Sequence, residues 1–484
     1  MQEVKAALWE AADKLRGSAD AVEYKEHVLG LIFLKYVSDA FEEHRSERMA
    51  RLVAEGGDED RFPYIREQED FAEAGAIWVP PTARWSRIAD RTETAHLGEL
   101  IDDAMNMLSA ANPALAGSLP TVFRHGAVDQ RRLAEVVDLI GTVRVDRTGG
   151  RAARDVLGEM YAYFLDHFAR AEGKRGGDSW TPRSVCQLVV GILEPHQGRV
   201  YDPACGSGGM LVEAGKYAEA HGRSLGDLEF YGQETNERTW RLARMNLAVH
   251  GMGSGVGARW GDTLADDRHP ALKADFVMAQ PSFNISNSVW DETDPRWEYG
   301  VPPRSNANYA WLQHAVSKLS ERGTAGIVLA NGSLFSRTPR EARIRRALVE
   351  ADLVAAVVAL PGQLFHSTAI PACLWVLTKD KPADRRGRTL LVDARRMGTL
   401  VGRTERVLGD EDLAKITLAY HTWRGGPRGQ AVPAYQDEPG FCRSADLEAV
   451  REQEYDLTPG RYVRAAQDRT GTRALTKDLY GVFQ

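Results

Sequence analysis

Two short segments of this 484-residue chain combine residue types that can do chemistry. The first is Tyr201-Asp202-Pro203-Ala204-Cys205-Gly206-Ser207-Gly208-Gly209, where an apolar run over Arg199–Asp202 reads as a strand turning through glycines into a helix. Glycine admits positive φ and lets the backbone approach a ligand, and a helix N-terminus offers unpaired N–H groups. Glu234, at the end of the next apolar run, is placed to accept hydrogen bonds from both hydroxyls of a ribose. Asp262, in Gly261-Asp262-Thr263-Leu264, can accept from an adenine amino group. A glycine turn alone is as readily a structural corner, but one followed in order by these two acids reads as a cradle for a nucleoside cofactor. The dinucleotide fingerprint Gly-x-Gly-x-x-Gly fails here, because Leu211 stands in its last position.

The second segment, Ala279-Gln280-Pro281-Ser282-Phe283-Asn284, ends the apolar run Asp275–Ala279. The exocyclic amine of adenine is a weak nucleophile because its lone pair is delocalised into the ring. Two acceptors on its protons free that lone pair for in-line attack. A polar side chain followed by proline can supply both acceptors, as the oxygen of Gln280 and the C=O of Pro281, while Phe283 stacks on a flipped-out base. Taken alone, Gln-Pro-Ser-Phe reads equally as a turn ending a core strand. Cys205 reads as packing in its turn, and cytosine C5 methylation is excluded by the absence of a Pro-Cys nucleophile.

These segments need a scaffold, and the chain can build one. With 43% hydrophobic residues it can bury two or three domains. No apolar stretch, Leu353–Leu360 included, nears the ~18 residues of a membrane span. Four scattered cysteines lack a Cys-x-x-Cys pair, which predicts neither a disulfide framework nor a metal site and fits a cytoplasmic protein. A net charge of −7 means that any polyanion contact must be local.

Val4, Leu8, Ala11 and Leu15 recur at helical spacing, and Val28–Val37 is apolar almost all round, as in a helix inside a bundle. Residues 1–145 are predicted to be an all-helical domain, with Val143–Gly150 a linker. Beyond it, strand-like runs alternate with helices: Arg199–Asp202, Leu228–Glu234, Asp275–Ala279, Ala325–Leu329, Leu353–Leu360, Ala372–Leu377 and Leu390–Asp393. That alternation predicts an α/β domain over 146–428, a Rossmann-like, parallel-rich sheet with helices on both faces. Residues 284–308 read as a lid, a binding loop or a disordered loop. A short helical tail, 429–484, closes the chain.

With these residues in view, the chain resembles the modification (methyltransferase) subunits of type I restriction–modification systems, a family of N6-adenine DNA methyltransferases. The resemblance runs from Leu8-Trp9-Glu10 and Glu26–Val37 through Asp155–Tyr161, Gly176-Gly177 to Thr181-Pro182-Arg183, Asp202–Gly209, Gly232-Gln233-Glu234 and Ala243–Asn246. It continues through Leu360-Pro361 to Phe365, Ile370-Pro371 and Arg461-Tyr462-Val463. It implies S-adenosyl-L-methionine as cofactor, held by Asp178, Trp180, Thr181, Pro182, Asp202, Ala204, Gly206, Ser207, Gly208, Gly209, Glu234 and Asp262. Gln280, Pro281 and Phe283 would be catalytic, and no metal is implied.

Implied partners are double-stranded DNA, a separate specificity subunit that reads the sequence, a second copy of the chain and a restriction subunit. The terminal helical segments would be docking surfaces. Where the family reads Asn-Pro-Pro-Phe, this chain has Gln280 and Ser282. Gln carries its amide about 1.5 Å further out, and misplacement of that size can cost ~100-fold in rate. Two readings therefore stand: an active adenine methyltransferase, and a cofactor- and DNA-binding scaffold of a defence complex that transfers weakly or not at all. Methylation of protein glutamine or RNA uses similar motifs but fits the long helical N-terminus poorly. Arg337, Arg340, Arg343, Arg345 and Arg346 read as a solvated helix face or a phosphate-contacting patch.

Overall fold

The computed structural model describes residues 9, 21–54, 71, 77–124, 129–142, 153–172, 181–253, 255–286, 289–365, 370–401, 405–426 and 433–463. Asp178, Trp180, the linker Val143–Gly150 and the helical pattern Val4, Leu8, Ala11 and Leu15 fall outside them. Longer helices come in chain order as α1 (Ala21–Ala54), α2 (Trp85–Ala89), α3 (Leu97–Ala111), α4 (Gln130–Thr142), α5 (Ala153–Glu172), α6 (Arg183–Leu193), α7 (Gly209–Ala220), α8 (Glu237–Val249), α9 (Asn308–Lys318), α10 (Pro339–Glu350), α11 (Asp410–Arg424) and α12 (Leu447–Glu452). Strands are β1 (Gly198–Asp202), β2 (Leu228–Gly232), β3 (Ala274–Ala279), β4 (Leu319–Ala330), β5 (Val354–Ala359), β6 (Ala372–Thr378), β7 (Arg388–Asp393), β8 (Thr399–Val401), β9 (Glu405–Val407) and β10 (Cys442–Asp446).

Contacts divide the chain into two compact units, and the helical one comprises 1–180 together with 206–212 and 234–260. Its centre is α1, where every residue from Val28 to Val37 is buried, as its all-round apolar pattern predicts. Phe33, Phe41, Met105, Phe123, Val137 and Phe164 pack in one cluster with Leu242, Met245 and Val249 of α8. Polar ties reinforce that packing. Tyr36 donates to the carbonyl of Val249, and the Arg244 guanidinium caps the carbonyls of Ala114 and Ala116.

The second unit, 181–205, 213–233 and 261–484, holds an eight-stranded sheet in the order β10-β7-β5-β6-β4-β3-β1-β2. β1 pairs in parallel with both β2 and β3, β3 with β4, and β5 with β7. The sheet is mixed rather than all parallel: β6 runs antiparallel to β4 and β5, and β10 antiparallel to β7. The tail thus carries a strand as well as a helix. Strand β5 is buried throughout, as expected of a central strand covered on both faces. Helix α6 lies directly on β4, where a Cβ on Gly326 would come within 2.9 Å of Val189 Cγ1.

β1 lies between β2 and β3, so the chain leaves it first to one side and then returns to the other. Crevices at the carboxyl ends of strands with this reversal are the usual ligand sites of open α/β sheets. Among the described residues no helix is long and apolar enough to cross a membrane. No described cluster of three or more His, Cys, Asp or Glu could hold a metal ion.

Candidate functional site

In the sheet unit, β1 and β3 are parallel neighbours, with Tyr201 opposite Val277. Their carboxyl ends therefore share one edge, which carries Asp202 and the segment starting at Gln280. Asp202 is buried; its carboxylate accepts from the Ala204 N–H at 3.0 Å, and its carbonyl accepts from the Gln233 N–H at 3.0 Å. The Cys205 N–H donates to Gln233 O, continuing that ladder past the end of β1. Cys205 is buried, in keeping with a packing role.

Asp262 is exposed and accepts from the Leu264 N–H at 2.9 Å. Its loop is anchored by groups that no sequence motif singles out. Thr263 Oγ1 donates to Pro203 O at 2.6 Å. Arg296 reaches the carbonyls of Thr263 and Leu264 at 2.9 and 2.7 Å while paired with Asp294. Behind Arg296 stands His314, fully buried, with Nδ1 at 3.0 Å from Arg296 and Nε2 at 3.2 Å from the Tyr201 hydroxyl. Burial first, then the charges of Arg296, Lys318 and His269, hold the His314 pKa well below its ordinary value, so the ring is neutral.

Residues 284–308 are built rather than loose in their described parts. Trp290 and Trp297 pack with Leu264, Ala307, Ala310 and Trp311 in a small apolar cluster. Asn284, at φ 54°, accepts through its side chain from Asn306 and Asn308, which draws the two ends of the segment together.

At the tip of β3, Gln280 is only 4% exposed. Its Oε1 accepts from the Thr181 hydroxyl at 3.0 Å, and its Nε2 donates to Pro281 O at 2.8 Å. Thr181 immediately precedes Pro182, the N-cap of α6. The half-buried Phe283 meets Phe365 edge to face, ring centroids 5.1 Å apart. Phe365 belongs to a segment that carries the family resemblance, but nothing in its spacing assigned it a partner.

The glycine turn and Glu234 belong to the helical unit. Gly206 and Gly208 both adopt positive φ, 53° and 79°. Nothing among the described residues lies within 4 Å of where a Gly206 or Gly209 Cβ would stand, as a cradle for a bound group requires. Glu234 orders the turn: one carboxylate oxygen accepts from the Gly206 N–H at 3.0 Å and the other from the Asn236 N–H at 2.8 Å. Asn246 Nδ2 holds Ser207 O at 2.8 Å. The set of open glycine backbone and carboxylate acceptors fits a nucleoside cofactor.

The arginine cluster divides. Arg345 is buried and donates to Tyr455 O, Ser336 O and the Tyr309 hydroxyl, a structural role. Arg337, Arg340, Arg343 and Arg346 are exposed; Arg340 lies 3.8 Å from Glu292, and Arg346 lies over the Tyr455 ring.

Comparison with known proteins agrees with this geometry. Residues 152–470 match the N-6 DNA Methylase family, and residues 4–140 match the HsdM N-terminal domain. The HindI methylase subunit of a type I restriction enzyme from Haemophilus influenzae is 40% identical over 80% of this chain and 90% of its own length. The MjaIX methylase subunit of Methanocaldococcus jannaschii is 34% identical over 94% and 83%. The crystal structure of a type I restriction-modification methyltransferase subunit from Streptococcus thermophilus superposes with a TM-score of 0.78 at 26% identity, covering 96% of this chain and 99% of that one. The chain belongs to the methylase subunits of type I restriction enzymes, within the N-6 DNA methylase family of adenine-specific DNA methyltransferases.

Proposed function

We propose that this subunit transfers a methyl group from S-adenosyl-L-methionine to N6 of an adenine extruded from duplex DNA. The observation that carries the reading is the pairing of β1 with β3, which brings the strand leading into the cofactor turn beside the strand that ends in Gln280–Phe283. When bound, the cofactor supplies an electrophilic methyl group on a cationic sulfur, so the protein needs no strong base. Its tasks are positioning and exclusion of water.

In this reading the backbone of Gly206–Gly209 and the residues Asp202 and Ala204 border the cofactor, with Asp178, Trp180, Thr181 and Pro182 at its methionine end. Glu234 accepts from the ribose hydroxyls and Asp262 from the adenine amino group. Gln280 Oε1 and Pro281 O accept the two N–H groups of the target amine, and Phe283 stacks on the base. The relatives are named as subunits of restriction enzymes, which supports assembly of this chain with a specificity subunit, a second copy of itself and a restriction subunit on DNA. Neither the geometry nor the comparisons favour a scaffold without catalysis.

The test is a reconstituted complex of the chain with its specificity subunit, given donor and target duplex. Methyl transfer to adenine N6 is expected, together with donor binding that Gly206→Asp removes. Donor binding without any transfer would reject the assignment.

A further inference from the structure

We propose that Thr181 is a positioning residue for the amine acceptor, fixing the carboxamide that this chain carries in place of a shorter asparagine; the inference rests on the functional reading above. A glutamine has one more torsion than asparagine, and the two ends of its amide differ only as O and NH2. Here both ends are engaged: Thr181 Oγ1 donates to Oε1 at 3.0 Å, and Nε2 donates to Pro281 O at 2.8 Å. Turning the amide by half a rotation would set Oε1 against Pro281 O, two acceptors facing each other. Only the observed orientation satisfies every group. At 4% exposure the carboxamide takes its hydrogen bonds chiefly from the protein.

That orientation leaves the site complete. Oε1 has spent one lone pair on Thr181, and Pro281 O has spent one on Nε2. Each keeps a second, and the two together match the two N–H groups of an adenine amine. The Nε2–Pro281 bond also ties the side chain across the following peptide, restraining a backbone that Ser282 leaves freer than a second proline would. Thr181 is itself well placed to act as a fixed donor. It precedes the N-cap of α6, α6 packs on β4 at Gly326, and β4 pairs with β3, which Gln280 directly follows. The same framework therefore sets donor and acceptor. The resemblance assigns Thr181 to the cofactor; the geometry points its proton at Gln280 instead.

The experiment compares wild type, Thr181→Val, Thr181→Ser, Gln280→Asn and the Thr181→Val/Gln280→Asn double variant, each assembled with the specificity subunit. Methyl transfer and S-adenosylmethionine binding are measured for each. Thr181→Val should lower kcat about ten- to hundredfold with the KM for the donor almost unchanged, and Thr181→Ser should restore it. In the Gln280→Asn background the valine should cost about twofold at most, because the shorter amide does not depend on the threonine. A raised donor KM with unaltered kcat makes Thr181 a cofactor ligand and overturns the inference, as does an equal loss of kcat in both backgrounds. If the wild-type complex binds donor yet transfers nothing, the functional reading fails on its own. Crystal structures of wild type and Thr181→Val then decide: a carboxamide that turns or loses order without the hydroxyl supports the positioning role, and an unmoved one overturns it.

Discussion

The turn after β1 and the segment after β3, proposed above to border the cofactor and the target base, are held by different means. The turn is fixed through its own backbone. Two glycines take positive φ, Glu234 accepts the Gly206 N–H, and Asn246 grips Ser207 O. The segment after β3 is fixed by side chains far away in sequence: Thr181 reaches Gln280 across 99 positions, and Phe365 meets the ring of Phe283. A backbone-held site tolerates changes in the side chains around it but not in its glycines. A site held by side chains can drift in sequence, as Gln280 and Ser282 have, provided that a compensating partner is present.

The sharpest way to break this contrast is to attack the turn. Gly206→Asp places a carboxylate beside Glu234 and in the open space over the turn. Because aspartate tolerates positive φ, backbone strain is the lesser effect. Donor affinity should fall at least ~100-fold, about 2.7 kcal/mol, read by calorimetry. Glu234→Ala removes the acceptor of two backbone N–H groups and should weaken binding comparably. Unchanged affinity in both variants would remove the turn from the site.

The segment after β3 should respond in kcat instead. Gln280→Ala deletes an acceptor and frees Pro281 O, and a loss on the order of 100-fold in transfer is expected with donor binding retained. Gln280→Asn should preserve or raise transfer, since asparagine places the same amide on a shorter, stiffer arm. If Gln280→Asn proves as damaging as Gln280→Ala, the geometry around Gln280 is specific to the longer side chain.

How much of this was legible follows the same division. Strands β1 to β7 were readable because each is an apolar run bounded by turn residues, and the turn and its acids were readable because they are local. The direction of β6 was not, since hydrophobicity records burial and not the sense of pairing. β10 was hidden because an edge strand reading Cys-Arg-Ser-Ala-Asp has no apolar run. Arg345 looked like its exposed neighbours, and only the fold shows it buried against Tyr455 and Tyr309. The grouping of 206–212 and 234–260 with the helical unit cannot be drawn as a boundary along a sequence. Arg296 and the bond from Thr181 to Gln280 were invisible for one reason: a hydrogen bond between distant segments leaves no periodicity.

Arg296 offers an intermediate case, a side chain that serves the backbone of the Asp262 loop. Arg296→Met keeps its bulk but leaves the carbonyls of Thr263 and Leu264 without their donor, at about 1–3 kcal/mol. Donor affinity should weaken about tenfold with kcat at saturation little changed. A kcat loss without an affinity loss would move Arg296 to the target-base side of the comparison.

The smallest effect lies one layer deeper, at His314, and it is read as pH dependence. The folded ring stays neutral because burial and the neighbouring Arg296 and Lys318 charges disfavour its cation, whereas the unfolded ring titrates near its ordinary value of 6.5. Between the depressed folded value and 6.5 the unfolded chain binds the extra proton, so this contribution to stability is complete above 6.5 and is lost as pH falls below it. The slope cannot exceed about 1.4 kcal/mol per pH unit for one group. His314→Gln keeps an acceptor for Arg296 and a donor for the Tyr201 hydroxyl while removing the titration. Thermal melts from pH 7 to pH 5 should therefore fall less steeply for the variant, by about 2 °C per pH unit. Parallel melting curves would mean that the unfolded chain takes up no more protons here than the native one. The network behind the Asp262 loop would then be held by packing rather than by a neutral imidazole that accepts from Arg296 and donates to the Tyr201 hydroxyl.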